Sequence, residues 1–438
     1  MQYWNQLAND HGINPDGAIE QSSTDTTNAQ SHRPEIFFNL SDQSKYTPRS
    51  ILIDLEPSVV NKVTHALPMV NPRNVHLSEK GNGAANNWSN GYSYGLSHQE
   101  DLINLIDREI DKCDNFNNFQ LFHSVAGGTG SGVGSLILET LNDRYGSKKL
   151  INTFLIFPSN EKTSDVVVQP YNTILTLKRL IDFSDASIVF HNDALNSMEN
   201  LLFHNSRHQS DAAFELTNKL ISNVCANISN PFRFPNYMYS SYESIFSSLI
   251  PTPDLKFLSA SIAPFTSNRH NMNEYDIILE LLNDQYKMNR VTEIPKYISV
   301  MNYLIGNNLS QQEIRKGALK ARQRIDFVPW ASSSVQMVNG KRPAFLKTEN
   351  PKQITGVQLS NNTSIIDVFK RIIKQYELLV KREAYINSYT ESNAREEKVR
   401  VLEMFNECRE SIMNVIDEYQ SCQLVNYLND EIFDEDEL

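Results

Sequence analysis

Between Val125 and Ser135 the chain reads Ala126-Gly127-Gly128-Thr129-Gly130-Ser131-Gly132-Val133-Gly134, with five glycines in the eight positions from Gly127 to Gly134. Glycine loses more backbone freedom on ordering than any other residue, so such a run needs a compensating ligand or contact. A polyphosphate supplies one. Glycines let the main chain approach an anion, successive N–H groups turn toward it, and a following helix presents its positive end to the same spot. Thr129 and Ser131 can add hydroxyl donors. Two common phosphate motifs are excluded: Val133 stands three places after Gly130 and Ser135 three after Gly132, where a dinucleotide fingerprint needs glycine, and Val133 follows Gly132 where a Walker A loop needs lysine. The remaining alternative is a glycine turn that only packs a helix on a sheet.

Three further groups have chemistry to offer. Asp54 and Glu56 leave the carboxyl end of the apolar run Ser50-Ile51-Leu52-Ile53-Asp54-Leu55-Glu56-Pro57. At that edge of an open α/β sheet they suit the hydrated Mg²⁺ of a nucleotide; equally, they suit the positive end of the helix that Pro57 opens. Ala84-Ala85-Asn86-Asn87-Trp88 sits in a stretch rich in Gly, Asn and Ser from Gly81 to Gly95, which reads as loop: small residues let its backbone approach a neighbour closely, and its Asn side chains can bond either a phosphate or an adjacent turn. Phe214 and Asn218 lie one helical turn apart. Together they can stack on and hydrogen-bond to a flat base, although alone they read as core and surface.

The elements that must position these groups follow from the hydrophobic pattern. Phe119, Leu121, Phe122 and Val125 predict a strand into the glycine run; Leu138, Leu141 and Tyr145 predict a helix out of it, stopped at Gly146. Leu150 to Phe157 reads as a buried strand, 159–165 as a polar loop, Val166 to Ile181 as a helix, and Ala186 to Phe190 as a strand ending at His191-Asn192-Asp193. This alternation predicts a doubly wound parallel sheet with its loops gathered at one edge. Tyr3, Trp4 and Leu7 predict a helix already under way at Met1; its missing cap suggests that something upstream is absent, the ordinary alternative being a frayed N-terminal helix. Asn14 to Ser31 reads as loop and Gln99 to Cys113 as helix. Phe214 to Ile228 and Met238 to Pro253 follow as helices, then a second, α+β, region from about 240 to 360. Two amphipathic helices, one carrying Ile365, Ile366, Phe369, Ile372, Ile373, Tyr376 and Leu379 and the other Val401, Leu402, Phe405, Ile412, Val415, Ile416 and Tyr419, precede an acidic tail.

At 438 residues, 40% hydrophobic, the chain suffices for two or three domains. Its net charge is −12, with no segment concentrating Lys and Arg, which disfavours nucleic acid as a partner. Cys113, Cys225, Cys408 and Cys422 form no C-x-x-C pair, so neither a zinc site nor a disulfide framework is indicated and a reducing compartment fits. No apolar run is long enough to span a bilayer, and the chain reads as soluble, with no membrane partner.

These residues resemble the tubulin family, and within it γ-tubulin of a divergent, fungal kind. The resemblance rests on Ala126 at the head of the glycine run, Phe122-His123-Ser124-Val125, Leu141-Asn142-Asp143-Arg144-Tyr145, the run Ser164 to Asn172 with Gln169 where α and β members carry glutamate, Arg233-Phe234-Pro235, and Leu249-Ile250-Pro251-Thr252-Pro253. It covers nearly the whole chain. It implies a GTP-binding nucleotide domain (1–209), a central helix and linker (210–239), an α+β intermediate domain (240–360), a C-terminal helical hairpin (361–426) and an acidic tail (427–438). It also implies GTP or GDP with Mg²⁺: Asp54 and Glu56 near the metal and phosphates, Ala85 and Asn86 near the γ-phosphate, Ala126, Gly127, Gly128, Thr129, Gly130, Ser131 and Gly132 around the α- and β-phosphates, and Ser164 and Asp165 in the ribose loop. Asn192 and Asn218 would read the guanine edge, with Phe214 stacked on the ring.

Two departures accompany the resemblance. By the resemblance the sequence starts inside the family's first helix, and the family's first strand and Gly-Gln-Cys-Gly phosphate loop are expected ahead of it. Ser244 stands where α-tubulin carries the glutamate that activates water on a neighbour's nucleotide, with Glu243 beside it. The expected role is therefore microtubule nucleation in the cytoplasm, at a spindle pole body or other microtubule-organising centre. The expected partners are αβ-tubulin, γ-tubulin complex scaffold proteins and lateral γ-tubulin neighbours, with at most slow GTP hydrolysis. The alternatives are a polymer-forming subunit of the α/β kind, disfavoured by Ala126 and Gln169, and a switch GTPase, for which no in-cis general base or arginine finger is identifiable.

Overall fold

The computed structural model describes residues 1–19, 32–41, 43–78, 81, 83–146, 148–159, 166–202, 213–235, 239–264, 272–289, 293–342, 353–390 and 395–428. In chain order the elements are α1 (Gln2–Asp10), β1 (Phe38–Leu40), β2 (Tyr46–Pro48), β3 (Leu52–Asp54), α2 (Pro57–Ala66), β4 (Val75–Leu77), α3 (Trp88–Ser97), α4 (Gln99–Ile110), β5 (Asn118–Ser124), α5 (Gly134–Tyr145), β6 (Leu150–Phe157), α6 (Gln169–Phe183), β7 (Ala186–His191) and α7 (Asn192–Leu202). They continue with α8 (Ala213–Ile228), α9 (Asn230–Arg233), α10 (Tyr242–Leu249), β8 (Phe257–Ala263), α11 (Glu274–Glu280), β9 (Tyr297–Ile305), α12 (Gln311–Arg324), β10 (Val335–Gly340), β11 (Thr355–Asn362), α13 (Ile365–Val380) and α14 (Arg395–Ser421).

One sheet in the order β10-β9-β11-β8-β7-β6-β5 runs through the molecule. The strands β5, β6, β7 and β8 are mutually parallel, and β11 is antiparallel to both β8 and β9. The expected parallel sheet and the expected α+β region are thus two stretches of one sheet. They join at a short ladder in which Ser187, Ile188 and Val189 of β7 face Phe257, Leu258 and Ser259 of β8. Parallel β3 and β4 form a sheet of their own.

Side-chain alternation along a strand sends successive residues to opposite faces. In β6, Ile151, Leu155 and Phe157 enter an apolar cluster with α5, α6, α13 and α14, while Phe154 enters a second with α1, α8 and α10. The interior strands β7 and β8 are buried throughout, as strands covered on both faces by helices must be. The apolar faces expected of the last two helices bury Ile365, Ile366, Phe369, Ile372, Ile373 and Tyr376 on α13, and Val401, Phe405, Ile412, Val415, Ile416 and Tyr419 on α14.

Several expectations change. The Gly81 to Gly95 stretch is not all loop: α3 begins at Trp88, capped by the Asn87 side chain accepting from Ser89 N at 2.7 Å. Its glycines serve packing, since a Cβ on Gly91 would lie 2.3 Å from Gly128 O. The helix expected from Val166 starts at Gln169, with Pro170 in its first turn, and the one expected over Met238 to Pro253 spans Tyr242 to Leu249, set by a Ser241–Ser244 capping box. The tail beyond residue 428, most of the Asn14 to Ser31 loop and most of the 159–165 loop lie outside the described residues.

Candidate functional site

The glycine run leaves the carboxyl end of β5 and winds into a π-helical turn, Thr129–Val133, that leads directly into α5. Turns of this kind recur at functional sites, and the first N–H groups of such a helical start lack partners within it. The glycines divide by what surrounds them. A Cβ on Gly128 would lie 2.6 Å from the Ala84 Cβ; on Gly130, 2.9 Å from Ser124 O; on Gly132, 2.3 Å from Trp88 O and 2.7 Å from Tyr92 N. These three are required by close backbone packing, and none has a positive φ. Beside Gly127 there is open space. The packing alternative therefore accounts for Gly128, Gly130 and Gly132, while Gly127 leaves room for a ligand.

Of the two hydroxyls, Ser131 is fully buried and donates to Gly127 O, so it is not an outward donor as expected. Thr129 is half-buried at the turn. His123, buried under the turn, donates from Nδ1 to Gly130 O at 2.9 Å. Burial pulls its imidazole down to about 4 against the favourable backbone bonds, so it is neutral at physiological pH.

The Ala84–Asn87 loop lies against this turn, as the Gly128 geometry requires. Ala85 and Asn86 are exposed and both hold positive φ, 49° and 53°. Strain of this sort in non-glycine residues concentrates at functional sites. Asn172 of α6 holds the two loops together. Its Nδ2 donates to Asn86 O at 2.8 Å and to Ala126 O at 2.9 Å, while its Oδ1 accepts from Trp88 N at 2.9 Å and from the Tyr389 hydroxyl at 2.6 Å. All four hydrogen-bonding valences of a buried amide are satisfied. Trp88 in turn donates from Nε1 to Ser135 Oγ at 3.0 Å, stacks on Tyr92, and lies under the Arg179 guanidinium, which pairs with Glu139. Sequence reasoning gave Asn172 and His123 no role. The available signal was a lone amide between Tyr171 and Ile174 in the first turn of a mostly apolar helix face.

Asp54 ends β3 with Oδ1 accepting from Leu55 N at 2.7 Å, and exposed Glu56 reaches toward Gly83 at the entry to the Ala84–Asn87 loop. Among the described residues no group of three or more metal-ligating side chains occurs. Two carboxylates suit Mg²⁺, which commonly takes one or two protein oxygens and completes its shell with phosphate and water.

The residues expected to meet a base are held less tightly. Asn192, half-buried, opens α7 at the carboxyl end of β7 between buried His191 and Asp193; Asp193 accepts from Ser159 Oγ. Asn218 is exposed on α8, which packs beside α7. Phe214 falls in the first turn of α8, its side chain outside the described residues, as are Ser164 and Asp165. Gln169 lines a cleft with Phe157, Pro158, Thr173, His191 and Ile372 at the ends of β6 and β7. Among the described residues no helix is long and apolar enough to cross a membrane.

A parallel sheet whose strand-end loops include a glycine turn opening a helix, faced by a strained second loop and two carboxylates, defines a nucleotide-binding α/β protein. Residues 1–200 match the model of the Tubulin/FtsZ family GTPase domain, and residues 253–374 that of the tubulin C-terminal domain. The chain is 59% identical over 460 aligned residues to the tubulin gamma chain of Candida albicans, covering 98% of this chain and 91% of that one. It is 41% identical to the gamma chain of Eremothecium gossypii and 38% to that of Saccharomyces cerevisiae, each over 99% of this chain and 92% of the relative. The chain belongs to the tubulin family, in its γ branch, a family of guanine-nucleotide-binding proteins.

Proposed function

We propose that this chain is a GTP-bound template for microtubule nucleation at a spindle pole or other microtubule-organising centre. Its nucleotide face receives α-tubulin, its other surfaces are gripped by scaffold proteins of the γ-tubulin complex, and γ-type neighbours lie alongside. The observation that carries the reading is the turn at Ala126–Gly132, with open space beside Gly127 and the strained Ala85–Asn86 loop across from it. In this reading the main chain from Gly127 to Gly132 and the Thr129 hydroxyl face the α- and β-phosphates, Ala85 and Asn86 the γ-phosphate, and Ser164 and Asp165 the ribose. Asn192 and Asn218 select guanine, with Phe214 against its ring. Asp54 and Glu56 hold Mg²⁺, whose charge offsets that of the phosphates when it is bound.

The other face does not complete a neighbour's hydrolytic site. Ser244 Oγ donates to Ser241 O at 2.7 Å within the capping box of α10, and Glu243 points to solvent one position away. Nucleation followed by light scattering, with αβ-tubulin and scaffold protein present, tests the reading. The intact chain shortens the lag, the chain without scaffold does not, and folded Asp54→Lys, checked by circular dichroism, loses the effect. Equal nucleation by Asp54→Lys would remove the nucleotide face as the working surface.

A further inference from the structure

The segment joining α13 to α14 touches the back of the phosphate end at three points. The Tyr389 hydroxyl donates to Asn172 Oδ1 at 2.6 Å; Ser388 O accepts from Asn87 Nδ2 at 2.7 Å; and Ala384 O accepts from the Tyr171 hydroxyl at 2.9 Å. Asn172 bridges the two phosphate-end loops and Asn87 caps α3, so the segment bonds to the side chains that place both loops. The segment is itself tightly shaped. Glu383 and Tyr385 hold positive φ, 48° and 58°. The Tyr389 ring packs edge-on against Tyr171 and Phe405, with centroids 5.5 and 5.4 Å apart, and Tyr171 stacks on Phe405 of α14 at 4.8 Å. Burial raises the Tyr389 phenol well above the ordinary tyrosine range, so its proton stays on oxygen to be donated.

We infer that Tyr389 and Ser388 are positioning residues for the nucleotide site, acting through Asn172 and Asn87, and that the α13–α14 pair and the bound nucleotide are thereby coupled. The inference rests on the reading of the Ala126–Gly132 turn as the phosphate site. The α13–α14 segment is the backing of a loop pair that closes on phosphate, so ordering the loops orders the segment. By linkage, a partner that immobilises the C-terminal helices raises nucleotide affinity by the same factor as nucleotide raises that partner's affinity.

Tyr389→Phe keeps the ring and removes one buried donor, leaving one Asn172 lone pair unsatisfied. The expected result is a three- to tenfold rise in the Kd for fluorescent mant-GTP, the scale of one net hydrogen bond. Tyr385→Phe, altering a ring that is exposed, leaves Kd unchanged. Hydrogen exchange of residues 384–390 slows when GTP is added to the intact chain, and slows less in Tyr389→Phe. A purely structural Tyr389 would lower the melting temperature of the variant while leaving both Kd and the nucleotide-linked exchange untouched, and that result overturns the inference. Absence of mant-GTP binding to the intact chain, measured first, removes the phosphate site and this inference together; binding with exchange at 384–390 indifferent to GTP removes the inference alone.

Discussion

The two ends of the candidate nucleotide site are built differently. At the phosphate end, buried side chains hold backbone: Asn172 ties Asn86 O to Ala126 O, His123 holds Gly130 O, and the Ala84–Asn87 loop and α3 lie so close to the turn that Gly91, Gly128 and Gly132 admit no Cβ. At the base end, half-buried Asn192 and exposed Asn218 project from adjacent helices. The first end is preorganised by packing. The second consists of separate side chains whose geometry depends on how α7 and α8 lie together. A phosphate is bound largely through main-chain N–H groups, which only a fixed backbone can aim, whereas a base edge is read by individual side chains.

Substitutions can separate the two designs. Gly132→Val has the largest expected effect: its side chain must displace the backbone of α3, so mant-GTP binding and the cooperative melt are lost together. A folded Gly132→Val protein that still bound GTP would show that the turn is not the phosphate site. Next comes pH. His123 titrates near 4 in the fold and near 6.5 when unfolded, so between these values the unfolded chain holds the extra proton and stability falls with falling pH. Its contribution, present above about pH 6.5, amounts to about 3 kcal/mol by pH 4 at 1.36 kcal/mol per unit. His123→Asn keeps a donor for Gly130 O and removes the titration, so urea melts across this window should show a slope reduced by about one proton.

Smaller effects isolate ligand contacts from packing. Gly127→Ala fills open space and should leave the melting temperature unchanged while weakening mant-GTP by about tenfold, or ~1.4 kcal/mol. An unchanged Kd would mean that the phosphates do not pass Gly127. Asn218→Ala should weaken GTP by a similar factor, and more than Phe214→Leu does; equal affinity of the intact chain for GTP and ATP would refute guanine reading by Asn192 and Asn218. Removing the residues after Tyr427 should change nucleation least, within about twofold, because a solvated acidic tail is screened at physiological salt.

The strand–turn–helix order is legible wherever a single period dominates, as in the buried run Leu150–Phe157 and the stripes of α13 and α14. It fails at α3, where glycines at 91 and 95 argue against helix by propensity; there the Asn87 cap and the close approach of the turn prevail over intrinsic preference. The phosphate end is visible because its glycines are adjacent in sequence. Asn172 and Tyr389 are 217 positions apart, and only the folded chain joins them. Asn192 acquires a role through family resemblance alone, since a single asparagine after a strand carries no local pattern, whereas Phe214 and Asn218 are paired by helical spacing but without the resemblance read equally as core and surface.

The short ladder between β7 and β8 has a mechanical consequence. Ser187–Val189 against Phe257–Ser259 is flanked by ladders that extend over Asn152–Phe157 on one side and Leu258–Ala263 on the other. A load applied along the sheet is shared by cross-strand bonds, so strain gathers where they are fewest. That seam carries its own reinforcement. Lys256 Nζ reaches Ile181 O and Ser184 O at 2.6 Å, and the Tyr419 hydroxyl of α14 meets both Phe257 N and Phe257 O. Under a load along the sheet, bending is therefore expected to concentrate at this line, where Lys256 ties the start of β8 to the end of α6 and Tyr419 of α14 holds β8 from the side.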